Sequence, residues 1–329
     1  MTGYSKPCEV AGEAELGRVK EYIGRFAAHS LGGTETGAVL DDALGTSGKM
    51  IRPRLMLLSS ALGPDREERF ERICMLAAMV ELTHTASLIH DDIVDEAEIR
   101  RGQISVQKKY GKDAAVYAGD FLISRVNYHL AKEKLFAAGA ILSETVEKMC
   151  LGEIGQAACR YREDVTPEKY LDNIRGKTAA LFRTACYLGA SEAGCPEAET
   201  MALGQLGEYI GIMFQFRDDL MDFMSTEALQ GKDTQKDFRE GIYTLPVLLS
   251  AESEEGRKAL LPFMKKSREG TLSEKDIAQM TEVVLNFGTE KAKKEIHRYA
   301  GLAYELTEPY KDSAPMAQIR KLIGKLDAI

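Results

Sequence analysis

Between one turn signal and the next, almost every segment of this 329-residue chain spaces its apolar residues with the period of an α-helix. No stretch sustains the period-two alternation and β-branched enrichment of a half-buried strand, so the expected fold class is all-α. The spacing predicts helices over 13–28, 50–62, 66–97, 113–135, 138–160, 167–188, 196–224, 243–251, 255–266, 273–286, 289–307 and 315–327. Thr166-Pro167 marks one start, with Thr as N-cap and Pro at the first helical position, and Gly63-Pro64 closes an early helix. No Ser/Gly/Pro-rich linker divides the chain, which reads as a single domain over 1–329. The polar segment STEALQGKDTQKDFREGIYTLP (225–246) is long for a plain connection, and loops of that length tend to be functional lids.

Charge narrows the class of partner. The net charge is −8, and the lysines and arginines are scattered rather than gathered into a tract, which argues against nucleic acid. An anion must therefore be bound locally. The six cysteines lack the paired spacing of a zinc site and imply reduced thiols in a cytoplasmic protein. The N-terminal MTGYSKPCEVAGEAE has no apolar signal region, and no run approaches the roughly 18 apolar residues of a spanning helix. No transmembrane segment is expected.

Against that background LIHDDIVDEAEIRRG (88–102) stands out. Asp91 and Asp95 are i and i+4, so their carboxylates leave one helix face about one turn apart. The same face carries Ser87 and His84, in a helix otherwise rich in Leu76, Met79, Val80, Leu82 and Ile89. Carboxylates buried without partners are costly, so the stripe should face a cavity. FQFRDDLMDF repeats the pattern with Asp218, Asp219 and Asp222, and Gln215 lies three residues earlier. Hard oxygen ligands brought together by two such helices suit Mg²⁺, which takes oxygens at about 2.1 Å, one or two of them carboxylate and the rest from water and phosphate.

A phosphate-bearing ligand should also draw cations. SGKMIRPRL (47–55) sets Lys49 and Arg52 at a helix start, Arg100 and Arg101 follow the first acidic cluster, Lys177 opens GKTAALF, and Lys232 lies in the polar segment. Two acidic groups with these cations suggest two phosphate sites, one bridged by metal and one bound directly by Lys and Arg.

Five motifs in order, GKMIRP, ELTHTASLIHDDIVDEAEIRRG, GKTAALF, FQFRDDLMD and GKDTQKDFREGIYTLP, span about residues 40 to 290. Together they resemble the trans-type isoprenyl diphosphate synthases of the polyprenyl synthetase family. The resemblance implies a bundle of antiparallel helices around a deep central cavity, usually dimeric, with the two aspartate-rich motifs opposed at its mouth. It also implies that Asp91, Asp95 and Asp218 ligate Mg²⁺, with Asp92, Asp219 and Asp222 in support directly or through water. Lys49, Arg52, His84 and Arg101 would hold isopentenyl diphosphate, and Arg100, Lys177 and Lys232 the diphosphate of an allylic substrate. Thr178 and Gln215 would lie close to the reacting carbons. The chain departs from the family pattern at Ile242, where Lys is common, and in QKDF before it.

One turn below the first metal motif the family commonly places aromatic residues that stop a growing chain. Here those positions are Ala86 and Ser87, which favours a long-chain product of the kind that becomes a quinone side chain. A short-chain product, and a catalytic subunit working with a small partner in place of a homodimer, are the alternatives. A class I terpene cyclase would carry Asn and Ser in its second metal motif, and the intact DDLMD counts against it.

Overall fold

The computed structural model describes residues 11–45, 48–224 and 235–329 and is all-α, as the periodicity implies. In chain order the helices are α1 (Glu13–Ala27), α2 (Glu35–Gly45), α3 (Ile51–Ser60), α4 (Phe70–Val94), α5 (Val106–Tyr110), α6 (Lys112–Lys132) and α7 (Phe136–Ala158). Then follow α8 (Pro167–Ile174), α9 (Ala180–Glu192), α10 (Glu197–Met224), α11 (Lys236–Arg239), α12 (Leu245–Ala251), α13 (Glu254–Arg268), α14 (Glu274–Phe287), α15 (Thr289–Thr307) and α16 (Ala314–Asp327). Two compact units emerge, the first comprising described residues through Glu144 with Thr184–Gly204, the second Thr145–Arg183 with the described residues from Gln205 onward. Each boundary falls inside a helix, α7, α9 or α10, which is why no linker composition marks it in the sequence.

In the first unit α4 packs against α1, α3 and α6. Met79, Leu82, Ala86 and Ile89 form a fully packed stripe, and burying a Leu, Ile or Met side chain contributes about 1.5–3 kcal/mol. By length and composition α4 could cross a membrane, contrary to the expectation that no run comes close, but 67% of that window is buried inside the protein. It is a core helix.

The expected helix over 66–97 ends at Val94, and a small hairpin follows where no strand was expected. Strand β1 (Ile99–Arg100) pairs antiparallel with β2 (Gln103–Ile104), Ile99 opposite Ile104 and Arg100 opposite Gln103. The two turn residues, Arg101 (φ 52°) and Gly102 (φ 78°), are both left-handed, as a two-residue turn that follows strand twist requires. Its strands are too short for periodicity to reveal. Ser105 anchors the exit, donating its hydroxyl to the Ala97 carbonyl at 2.5 Å and accepting from the Lys108 N–H as N-cap of α5.

In the second unit Thr166 caps α8 as its sequence implies, accepting from the Lys169 N–H at 3.2 Å. The helix expected over 167–188 does run on, but it is interrupted by a π-helical turn at Arg175–Ala179. π turns insert an extra residue and frequently mark functional sites. Glycines allow the approach of α7 to this turn. A Cβ on Gly152 would lie 2.4 Å from the Lys177 nitrogen, and one on Gly176 would lie 2.3 Å from the Lys148 carbonyl oxygen. Both obstacles are backbone, which cannot swing aside. Gly152→Ala should therefore destabilise the protein by about 1–3 kcal/mol in chemical denaturation, the usual cost of overpacking; an unchanged midpoint would refute the close approach.

Candidate functional site

The cationic part of the site is built on α3, α4 and the hairpin of the first unit. Met50, in the left-handed region at φ 52°, turns the chain into α3 and brings Arg52 into its first turn. Burial draws the Arg52 guanidinium down to about 10, against the opposing pull of Glu81 and with Arg101 adding to it. Arg101 is carried by the hairpin turn to the loop before α3, where a Cβ on Gly48 would lie 2.7 Å from its guanidinium nitrogens. Burial holds the Glu81 carboxyl above its ordinary range, although Arg52 and Arg101 pull it down. Burial and then Arg52, Arg101 and Arg100 push the His84 imidazole down to about 2, so the ring is neutral. Cations crowded around a neutral ring present a local anion site on an acidic protein.

Arg100 and Arg101 part company because one lies in a strand and the other in the turn. Arg100 folds back to Asp92, its Nε 2.7 Å from Oδ1 and its Nη2 on the same oxygen. Asp92 is 5% exposed, whereas Asp91 and Asp95 lie on the more open face of α4 with Ser87 and His84. The expectation that Asp92 supports the metal is sharpened: its bonded oxygen is taken by Arg100.

The second unit repeats this division. In DDLMD, Asp218 and Asp222 are exposed and Asp219 is 3% exposed. Tyr170 on α8 donates its hydroxyl to Asp219 Oδ2, and Gln215 Nε2 donates to Asp219 Oδ1 at 2.9 Å. Thr178 Oγ1, from the π turn, donates to Gln215 Oε1 at 2.7 Å. Lys177, one residue earlier, reaches Gln156 Oε1 at 2.8 Å and Glu153 Oε2 at 3.1 Å on α7. Burial raises the Asp219 carboxyl to about 7 against the opposing effect of the Tyr170 and Gln215 hydrogen bonds, and the charges of Asp237 and Asp222 add to the rise. Desolvation among surrounding protein atoms raises Asp222 to about 6, assisted by Asp237 and Asp218.

Such mutual repulsion among carboxylates is what a divalent cation relieves. Among the described residues no three His, Cys, Asp or Glu side chains form a metal cage by themselves. That donor set fits Mg²⁺ held by one or two carboxylates with water and phosphate completing its shell.

One expectation changes. Ala86 was paired with Ser87 as a residue along the product path, but it is fully buried in the Met79–Leu82–Ala86–Ile89 stripe, since one residue along a helix is a turn of about 100°. Only Ser87 is accessible, with its hydroxyl donating to the His84 carbonyl at 2.9 Å. Lys49 is exposed on the loop before α3, and Lys232 lies outside the described residues. Sequence reasoning missed Glu81, Glu153, Gln156, Tyr170 and Asp237. Glu81 was detectable three residues before His84 on the same face; Tyr170 and Asp237 join the site only through the packing of α8 and α11 near α10.

A family model described as Polyprenyl synthetase matches residues 34–284. A Geobacillus stearothermophilus protein named heptaprenyl diphosphate synthase component 2 is 34% identical over 319 residues, 95% of this chain and 93% of that one. A short chain isoprenyl diphosphate synthase of Methanothermobacter thermautotrophicus is 37% identical over 274 residues, 81% of this chain and 82% of its own. A crystal structure of a polyprenyl synthase from Caulobacter crescentus CB15, complexed with calcium and isoprenyl diphosphate, superposes with a TM-score of 0.86 at 27% identity, covering 96% of this chain and 95% of that one.

At His84 the unfolded chain takes up a proton near pH 6.5 that the folded chain refuses down to about 2, so stability contributed by this group falls as pH drops below 6.5. The ring carbon–proton NMR signals of His84 should stay at neutral-imidazole shifts from pH 8 to pH 5, and a midpoint near 6.5 would refute the burial among arginines.

Proposed function

The chain belongs to the polyprenyl synthetase family, and on that premise we propose that it is a prenyltransferase condensing isopentenyl diphosphate with an allylic diphosphate, head to tail, into a long-chain all-trans polyprenyl diphosphate. The observation that carries the reading is the charge separation just described: Arg52 and Arg101 beside neutral His84 in one unit, and exposed, mutually repelling Asp218 and Asp222 in the other.

Arg52, Arg101, His84 and exposed Lys49 hold the diphosphate of isopentenyl diphosphate, the guanidiniums supplying planar paired donors and His84 a neutral one. Within its own unit each outward pair, Asp91 with Asp95 and Asp218 with Asp222, would hold Mg²⁺, and Asp92 and Asp219 position them rather than ligate. Bound there, Mg²⁺ supplies charge stabilisation to a departing diphosphate. Lys177, Arg100 and Lys232 of the polar segment would each answer charge on the allylic diphosphate as the allylic C–O bond breaks. Thr178 and Gln215 turn oxygen toward the resulting allylic cation. The new C–C bond forms from the isopentenyl double bond, and the departed diphosphate accepts the proton lost.

A long product agrees with the small, accessible Ser87 and with the likeness to a heptaprenyl diphosphate synthase component. The similarly close short-chain relative keeps a shorter product as the second reading. Exposed Phe136, Leu151 and Ile154 along α7 suit self-association into a homodimer, and the word "component" in one relative's name supports a small partner subunit as the alternative. The described cysteines, all free thiols, suit the cytoplasm.

Purified protein given Mg²⁺, labelled isopentenyl diphosphate and farnesyl diphosphate should yield products longer than twenty carbons, and chelation should abolish them. No condensation, alone or with an added partner subunit, overturns the reading; termination at twenty carbons overturns only the chain length. Ser87→Phe should shorten the product. An unaltered distribution would mean the growing chain does not pass that face.

A further inference from the structure

Tyr170 belongs to none of the motifs, yet it is 5% exposed and gives its hydroxyl to the carboxylate at the centre of the second acidic motif. We infer that Tyr170 and Asp219 are positioning residues that set the direction of a hydrogen-bond chain ending at Thr178, and that Asp219 does not serve as a metal ligand. The inference rests on the prenyl-transfer reading and deepens it.

Both Asp219 oxygens face donors, the Tyr170 hydroxyl on Oδ2 and the Gln215 amide on Oδ1, and these two bonds favour the ionised carboxylate, which only accepts, against the opposing effect of burial. Gln215 must therefore turn Nε2 to Asp219, which leaves its Oε1 facing Thr178 Oγ1 at 2.7 Å. That oxygen can only accept, so the Thr178 hydroxyl must donate to it. The proton of Thr178 is thereby committed within the protein, and its oxygen lone pairs are the part left for a cationic ligand. Without the carboxylate the amide could flip, and Thr178 could then present a proton where the cation forms.

Packing makes the chain stiff. Thr178 is 8% exposed in the π turn, Asp219 is 3% exposed on α10, and the Tyr170 ring stacks on Phe216 with centroids 6.2 Å apart. A carboxylate held on both oxygens by protein donors, one of them the buried Tyr170 hydroxyl, has little left to offer a metal, unlike exposed Asp218 and Asp222 on the same helix.

Steady-state assays of Tyr170→Phe and Asp219→Asn, with an Mg²⁺ titration of each, test this. The expected result is a fall in kcat of about tenfold, the loss of one hydrogen bond to a charged group. KM for both diphosphates and the Mg²⁺ midpoint should stay at wild-type values. Thr178→Val should cost less in the Tyr170→Phe background than in the wild type, because both act through one chain. A raised Mg²⁺ requirement in Asp219→Asn would overturn the inference by making Asp219 a ligand. A Tyr170→Phe protein with lowered melting temperature but unchanged kcat would overturn it by making Tyr170 purely structural. A second arm needs no turnover: in glutamine-labelled resting protein, the Gln215 Nε2 protons should be shifted and slowly exchanging, and should lose protection in Asp219→Asn. Inactive wild-type protein would refute prenyl transfer alone, whereas unprotected Gln215 protons would refute the chain of bonds.

Discussion

Two adjacent aspartates in an α-helix cannot share a face, because successive side chains are rotated by about 100°. The chain meets this constraint the same way in both acidic motifs. Asp92 and Asp219 turn inward, where Arg100 holds one and Tyr170 with Gln215 hold the other. Their companions Asp91 and Asp95, and Asp218 and Asp222, remain on the more open faces. A motif that looks like three equivalent acids is thus one internal anchor and two outward oxygens. An inward carboxylate without its donors would be a buried unsatisfied charge, so the anchors stabilise the helices and orient the outward pair together.

The remaining site follows from managing like charges. Arg52, Arg101 and Arg100 raise the cost of protonating His84, and Asp237 and Asp218 raise the cost of ionising Asp222. Neither arrangement favours stability by itself. Both become favourable when an ion of opposite sign arrives, so the folded protein holds in advance the electrostatic work that catalysis needs. Small backbone devices make this possible: a hairpin turn separates Arg100 from Arg101, and a π turn sets Lys177 toward α7 and Thr178 toward α10. Each device depends on a glycine, Gly102 for the left-handed backbone of the hairpin turn and Gly152 for the close approach to the π turn.

How far the fold was legible depended on segment length. The long apolar helices were readable to within a few residues, and α15 matches the predicted span 289–307 at both ends. Helix α2 was missed because Glu35–Gly45 has three buried residues and little apolar periodicity, and α5 because five residues carry no period at all. The π turn was invisible for a related reason: one added residue shifts register without changing composition. Ala86 shows the limit of wheel arguments, for a residue beside an open face can belong wholly to the packed one.

Sequence alone determined the helical class, the two paired-carboxylate motifs, the cations that accompany them and, through five ordered motifs, the family, because periodicity, spacing and residue chemistry are local properties. Tertiary structure decided which aspartate of each motif turns inward, that Arg100 and Arg101 take different partners, and that Tyr170, Glu81 and Asp237 join the site. Those outcomes depend on which helices and turns come within a few ångströms of one another, and contacts between residues far apart in the chain leave no periodic trace in it.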